Sequence, residues 1–186
     1  MPDSELTLAR TGGRELHRIV YTEEQIAARV REMGREIAAA YPAGEPLLVL
    51  GLLKGSFIFV SDLVREITRP LHVDFLVASS YGSGTTSSGR VTLVYDPNAE
   101  FSGRHVIVVE DIVDSGTTLS RLIPMLEERG PLSLEVCTLL HKHVAADLTH
   151  EPRWVGFDAP HEFLIGYGLD HSENYRNLPF IGSLKA

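Results

Sequence analysis

Residues 106–119 read VIVVEDIVDSGTTL. Val106–Val109 is an uninterrupted apolar run, the mark of a strand covered on both faces. Glu110, Asp111 and Asp114 then crowd three carboxylates into five positions, which costs stability through repulsion and lost hydration. Ser115-Gly116-Thr117-Thr118 follows and opens an amphipathic helix over 115–129, which Pro124 should kink or break. A strand that turns directly into a helix N-terminus is a ready anion site, because free N–H groups and the helix dipole face the incoming charge. The hydroxyls of Ser115, Thr117 and Thr118 add donors, and Gly116 lets the backbone approach closely. Beside such a turn, Glu110 and Asp111 can accept hydrogen bonds from sugar hydroxyls or bind Mg²⁺, a hard cation that takes oxygen ligands.

On both sides of this stretch, strands and helices alternate. Residues 1–20 read as a loosely organised arm. Thr22-Glu23-Glu24-Gln25 is a capping box, and Ile26, Val30, Met33 and Ile37 follow at helical spacing toward Ala40. Leu47–Leu53 (LLVLGLL) predicts a second buried strand, with a helix from Gly55 and Ser56 to about Ile67. Strands are expected at Val73–Ser79, Val91–Tyr95, Leu134–Leu140, Trp154–Phe157 and near Phe163–Tyr167, and the Gly-rich Tyr81–Arg90 reads as an exposed mobile loop. The pattern predicts an α/β fold: a mainly parallel twisted sheet with helices on both faces. Ligands of such sheets sit outside the carboxyl ends of the strands, where Glu110 and Asp111 lie.

The 186 residues suit one domain, 44% hydrophobic and 23% charged, with no apolar run long enough to span a membrane. A net charge of −8 excludes a broad nucleic-acid surface. The N-terminus lacks a signal-peptide pattern, and the single cysteine, Cys137, has no internal disulfide partner and reads as a buried thiol. A cytoplasmic protein is expected.

The turn is not a nucleotide P-loop, since no G-x-x-x-x-G-K-[ST] occurs, so a phosphorylated sugar fits it better than a triphosphate. Val113-Asp114-Ser115-Gly116-Thr117 is similar to the aspartic-protease signature. Those enzymes need two such aspartates in a β-rich chain, whereas this chain has one copy and reads α/β.

VVEDIVDSGTTL resembles the phosphoribosyl-pyrophosphate (PRPP) motif of type I phosphoribosyltransferases. GLLKGSFIFVSDLVREI (51–67), SSYGSGTTSSGRV (79–91), LLHK (139–142), WVGFDAP (154–160) and GYGLDHSENYRNLPFIG (166–182) narrow the resemblance to the 6-oxopurine, hypoxanthine-guanine branch. It implies the type I fold, one domain over 1–186, with a small hood from the terminal segments (arm 1–20; purine-binding segment 150–186). It also implies Mg²⁺-dependent transfer of ribose 5-phosphate from PRPP to N9 of hypoxanthine or guanine, releasing pyrophosphate, in a homodimer or homotetramer. Neither nucleic acid nor membrane is an implied partner.

By resemblance, Glu110 and Asp111 hold the ribose hydroxyls and their Mg²⁺, and Asp114 handles the proton near N7 of the purine. Ser115, Gly116, Thr117 and Thr118 form the 5′-phosphate loop, where many relatives carry Lys or Arg in place of Thr117. Lys54, Gly55 and Arg176 contact pyrophosphate, and the family often has a strained Leu53–Lys54 peptide. Lys142 donates to the purine 6-oxo oxygen, Trp154 stacks on the base, and the Val155 backbone reads its edge. Asp170 lies near the 2-position and a second Mg²⁺. Ser80 and Tyr81 begin a loop that closes over the site and excludes water.

On residue chemistry alone, Lys54-Gly55 can be an ordinary strand-to-helix turn, Arg176 a surface ion pair and Trp154 a core residue. His141 and His143 at i, i+2 lack a third zinc ligand at suitable spacing. A fold reused to bind RNA would need a basic face, which the charge argues against. A lysine donor favours an oxo group over adenine's amino group, and leaves hypoxanthine, guanine and xanthine open.

Overall fold

The computed structural model describes residues 4–80, 91–95, 98–143 and 150–184. Along them the chain runs α1 (Ser4–Arg10), β1 (Leu16–Tyr21), α2 (Glu23–Ala40), β2 (Leu47–Leu53), α3 (Phe57–Glu66), β3 (His72–Ser80), β4 (Val91–Tyr95), β5 (His105–Val113), α4 (Thr117–Glu127), β6 (Ser133–His141), β7 (Trp154–Asp158), β8 (Leu164–Ile165) and β9 (Ile181–Leu184). The expected Tyr81–Arg90 loop, Tyr81 included, lies outside the described residues.

Six strands form the main sheet in the order β4-β3-β2-β5-β6-β7. All neighbours are parallel except β4, which runs antiparallel to β3. From β2 the chain crosses to β3 on one side, and from β5 it crosses to β6 on the other. The switch point, where an open α/β sheet leaves a crevice, therefore falls between β2 and β5. Helix α2 begins at the expected capping box: Gln25 N–H donates to the Thr22 side chain and Thr22 N–H to the Gln25 side chain. Its Ile26, Val30, Met33 and Ile37 are buried with Val49, Phe59 and Ile107 in one core layer. Leu119, Leu122, Ile123 and Leu126 of α4 join Leu48, Leu50, Val106 and Val108 in the other.

Three expectations change. Strand β5 does not stop at Val109 but runs on to Val113, because β6 continues to pair with it (Glu110 with Thr138, Ile112 with Leu140, Val113 with His141). Helix α4 runs unbroken to Glu127 with Pro124 inside it; a proline this late removes one N–H bond in the last turns, and the buried face holds the helix. The arm is organised: α1 and β1 precede residue 22, and β1 pairs antiparallel with β9, which pairs with β8. This small sheet covers its own core of Ile165, Tyr175, Leu178 and Phe180. Within 150–186, Trp154–Asp158 belongs to the main sheet, parallel to β6.

Candidate active site

β2 pairs with β5 only as far as Gly51–Val109. Beyond that register the two strands part, and the edge of residues 110–113 facing β2 is left unpaired, which makes the crevice. Glu110 and Asp111 stand on its β5 wall. The opposite wall is the turn after β2, where the Leu53–Lys54 peptide is cis. The absence of a side chain at Gly55 leaves room for Asp111: a Cβ there would lie 1.7 Å from Asp111 Oδ2 and displace the carboxylate. A Cβ on Gly168, which has φ +102°, would lie 2.0 Å from the Gly55 carbonyl oxygen. Segments 53–55, 110–111 and 166–170 thus meet at one point, because two residues lack side chains.

Burial governs the carboxylates. Glu110, 8% exposed, has its pKa pushed up to about 8 by loss of hydration and by Asp111. Asp111 is raised to about 6 by burial, opposed by backbone hydrogen bonds at Asp111 and Ile112 and by the Arg176 charge, and reinforced by Asp170. Among the described residues no cation offsets Glu110. A buried acidic pair of this kind suits a bound cation or a row of hydroxyl donors. Among the described residues no three His, Cys, Asp or Glu side chains converge as a metal cage. Two adjacent buried carboxylates offer the one or two protein oxygens that Mg²⁺ takes, its shell being completed by water and substrate oxygens. Asp170, whose charge reaches Asp111, has its Oδ1 2.9 Å from Arg176 Nη2 and its Oδ2 accepting from Glu173 N–H at 2.8 Å.

The turn after β5 forms a small cleft of about 80 Å³ bordered by Glu110 and residues 112–119. Gly116 adopts φ +69° as N-cap of α4, so no side chain obstructs the helix start. Ser115 Oγ and Thr117 Oγ1 lie 2.9 Å apart across the mouth. The volume and the donors suit a single phosphate group.

Asp114 and Lys142 come from different loops, yet Lys142 Nζ donates to Asp114 Oδ2 at 3.0 Å. The β5–β6 register brings them together: Val113 opposes His141, and Lys142 N–H donates to the Val113 carbonyl at 3.0 Å. Lys142 is mostly covered while Asp114 is exposed. Next to the phosphate cleft, the pair offers one cationic donor and one acceptor to the same planar ligand. His141 and His143 turn toward each other, ring centroids 3.9 Å apart, leaving Lys142 free of them.

The assignment of Trp154 and Val155 is corrected. Trp154 is 5% exposed, opens β7 four residues before its carboxyl end, and packs beside Tyr41 with the Arg153 guanidinium over its ring. No base can reach it. The Val155 carbonyl is taken by Arg29 Nη2 at 2.9 Å, and Arg29 Nε also donates to Gly156 at 3.2 Å. The residue that sequence reasoning missed is Phe163. It is 56% exposed, immediately precedes β8, and sets its ring edge-on to His171 at 5.1 Å, next to Asp170. The available signal was an aromatic left in an otherwise polar His-Glu-Phe turn.

Lys54 Nζ donates to Glu173 Oε1 at 3.0 Å. Arg176 donates to the Gly168 carbonyl at 2.8 Å and to Glu173 Oε2 at 3.1 Å. Ser80 closes β3. Cys137 is fully buried, its thiol pKa raised by desolvation, and has no part in the site.

A doubly sided parallel sheet with an acidic strand end, a phosphate-sized turn and a cation at the switch point defines a sugar-phosphate-handling α/β protein. Residues 18–172 match the phosphoribosyl transferase domain family, and the chain belongs to that family. It is 47% identical to the hypoxanthine-guanine phosphoribosyltransferase of Mycobacterium avium over 91% of this chain and 86% of that one. A crystal structure of a hypoxanthine phosphoribosyltransferase from Staphylococcus aureus superposes with a TM-score of 0.88 at 40% identity, covering 100% of this chain and 97% of that one. The chain is also 44% identical, over 92% of its length, to the bifunctional protein TilS/HprT of Listeria innocua, and spans 26% of that longer relative.

Proposed function

We propose that the chain transfers the 5-phosphoribosyl group of PRPP to N9 of a 6-oxopurine, hypoxanthine or guanine, forming IMP or GMP and pyrophosphate. The observation that carries this reading is the 3.0 Å pair of Lys142 and Asp114 beside the phosphate-sized turn. Lys142 donates to the 6-oxo oxygen, and Asp114 accepts the proton at N7, so the two groups select an oxo purine over an amino purine. Phe163 replaces Trp154 as the stacking platform, since its ring is exposed beside the Asp170 loop. Ser115, Gly116, Thr117 and Thr118 hold the 5′-phosphate, and Glu110 and Asp111 accept hydrogen bonds from the ribose hydroxyls. Lys54, the Gly55 backbone and Arg176 receive pyrophosphate, and Asp170 orients Arg176.

The ribose carbon becomes cationic as pyrophosphate departs, and carboxylates at Glu110 and Asp111 stabilise that charge once a bound cation or ribose hydroxyls offset the burial that otherwise keeps Glu110 protonated. Mg²⁺ held by Glu110 and Asp111, with a second ion near Asp170, would supply charge neutralisation of the leaving pyrophosphate. The loop from Ser80 and Tyr81 is assigned to closure over the reacting centre, and a homodimer or homotetramer in the cytoplasm completes the reading. A Mg²⁺-dependent assay with PRPP, offering hypoxanthine, guanine, xanthine and adenine in parallel, tests it. Nucleotide from hypoxanthine or guanine, lost without Mg²⁺, is expected; preferential use of adenine, or no product from any base, overturns it.

A further inference from the structure

The two cations assigned above to pyrophosphate are already bridged by one carboxylate. Glu173 gives one oxygen to each: Oε1 to Lys54 Nζ at 3.0 Å and Oε2 to Arg176 Nη2 at 3.1 Å. The Lys54 ammonium has no other partner among the described residues. Arg176 is held independently, by the Gly168 carbonyl at 2.8 Å and by Asp170 at 2.9 Å. Glu173 sits in a bend at φ +63°, after Ser172 at φ +52°, with its N–H donating to Asp170 Oδ2. A non-glycine residue held at positive φ is uncommon, and here that backbone lets one carboxylate meet both cations. The Lys54 and Glu173 side chains are both largely exposed, so the carboxylate can swing into water without a desolvation barrier.

We propose that Glu173 is a resident counter-anion of the pyrophosphate subsite: it spans Lys54 and Arg176 while the subsite is free, and is displaced when a pyrophosphate group binds. The inference rests on the assignment of Lys54 and Arg176 to pyrophosphate. Between turnovers the carboxylate parks the otherwise unrestrained Lys54 beside Arg176. On binding it must release both cations, so the apparent pyrophosphate affinity is lowered by the fraction of molecules in which the bridge is closed. After the reaction it competes for the same cations and hastens pyrophosphate release. Exposed ion pairs are individually weak, which sets the expected effect of removing the bridge at about 3–10-fold.

Calorimetric titration of inorganic pyrophosphate with Mg²⁺ into the wild-type chain, Glu173→Gln, Lys54→Ala and the double variant tests the proposal. Glu173→Gln should bind pyrophosphate about 3–10-fold more tightly, Lys54→Ala more weakly, and most of the Glu173→Gln gain should vanish in the Lys54→Ala background. Equal or weaker binding by Glu173→Gln overturns the proposal, because a residue that merely orders the bend can only weaken the site when removed. A gain that survives undiminished without Lys54 also overturns it. Unchanged binding by Lys54→Ala shows instead that the subsite assignment itself is wrong.

Discussion

On the proposed reading Asp114 and Lys142 divide one task, and their substitutions should separate. Asp114→Asn keeps the shape but loses the proton acceptor, and turnover should fall by about 10²–10⁴-fold, with a smaller change in PRPP binding measured by equilibrium titration; unchanged turnover removes Asp114 from the chemistry. Glu110 and Asp111 carry a cost visible without substrate. A carboxyl whose folded pKa lies above its ordinary value favours folding while protonated. For Glu110, raised from 4.5 to about 8, and Asp111, raised from 3.8 to about 6, that contribution is complete below the ordinary values and is lost as pH rises through the folded ones. The melting temperature of the ligand-free, metal-free chain should therefore be depressed at pH 8 relative to a Glu110→Gln variant, by about 2–4 °C per kcal/mol recovered. The same variant should need more PRPP and Mg²⁺ for half-maximal rate. Equal melting of the two chains across pH 5–8 would show that burial does not penalise Glu110.

The elements that position these residues were legible in the sequence to unequal degrees. Uniform apolar runs announced β2 and β5, and the Thr22–Gln25 box announced α2. The end of β5 was not legible, because Glu110 and Asp111 look like loop residues; only pairing with β6, a partner distant in sequence, keeps them extended. The same limit applies to the aromatic assigned to the base. Local pattern cannot tell that Trp154 enters the sheet at its buried end while Phe163, nine positions on, emerges beside the Asp170 loop. Nor could composition reveal that β1, in an apparently loose arm, pairs with β9. At the edge strand β7, Arg29 from α2 supplies donors to the Val155 and Gly156 carbonyls, which an edge otherwise leaves to water or to another chain. Arg29→Ala should cost about 1.5–3 kcal/mol for these charge-assisted bonds, read as a drop of several degrees in melting temperature with KM for PRPP nearly unchanged. A drop in PRPP affinity without loss of stability would contradict that division of labour.

The strand order of the main sheet opens a crevice between β2 and β5, with Glu110 and Asp111 on its β5 wall and the turn carrying Lys54 on the other. On the proposed reading, an acidic chain of net charge −8 that takes a polyanionic substrate must place cations where the anions go. Lys54 in the turn after β2, Arg176 in the segment between β8 and β9 that meets it, and Lys142 just past the end of β6 follow that rule. The central question is whether this arrangement reads a 6-oxopurine. The most direct measurement is the ratio of kcat/KM for hypoxanthine over adenine, with PRPP and Mg²⁺, in the wild-type chain and in Lys142→Ala. A strong wild-type preference for hypoxanthine that shrinks by about 10–100-fold in the variant, the worth of one charge-assisted hydrogen bond, is predicted. A ratio unmoved by loss of Lys142, or a wild-type chain that prefers adenine, would contradict it.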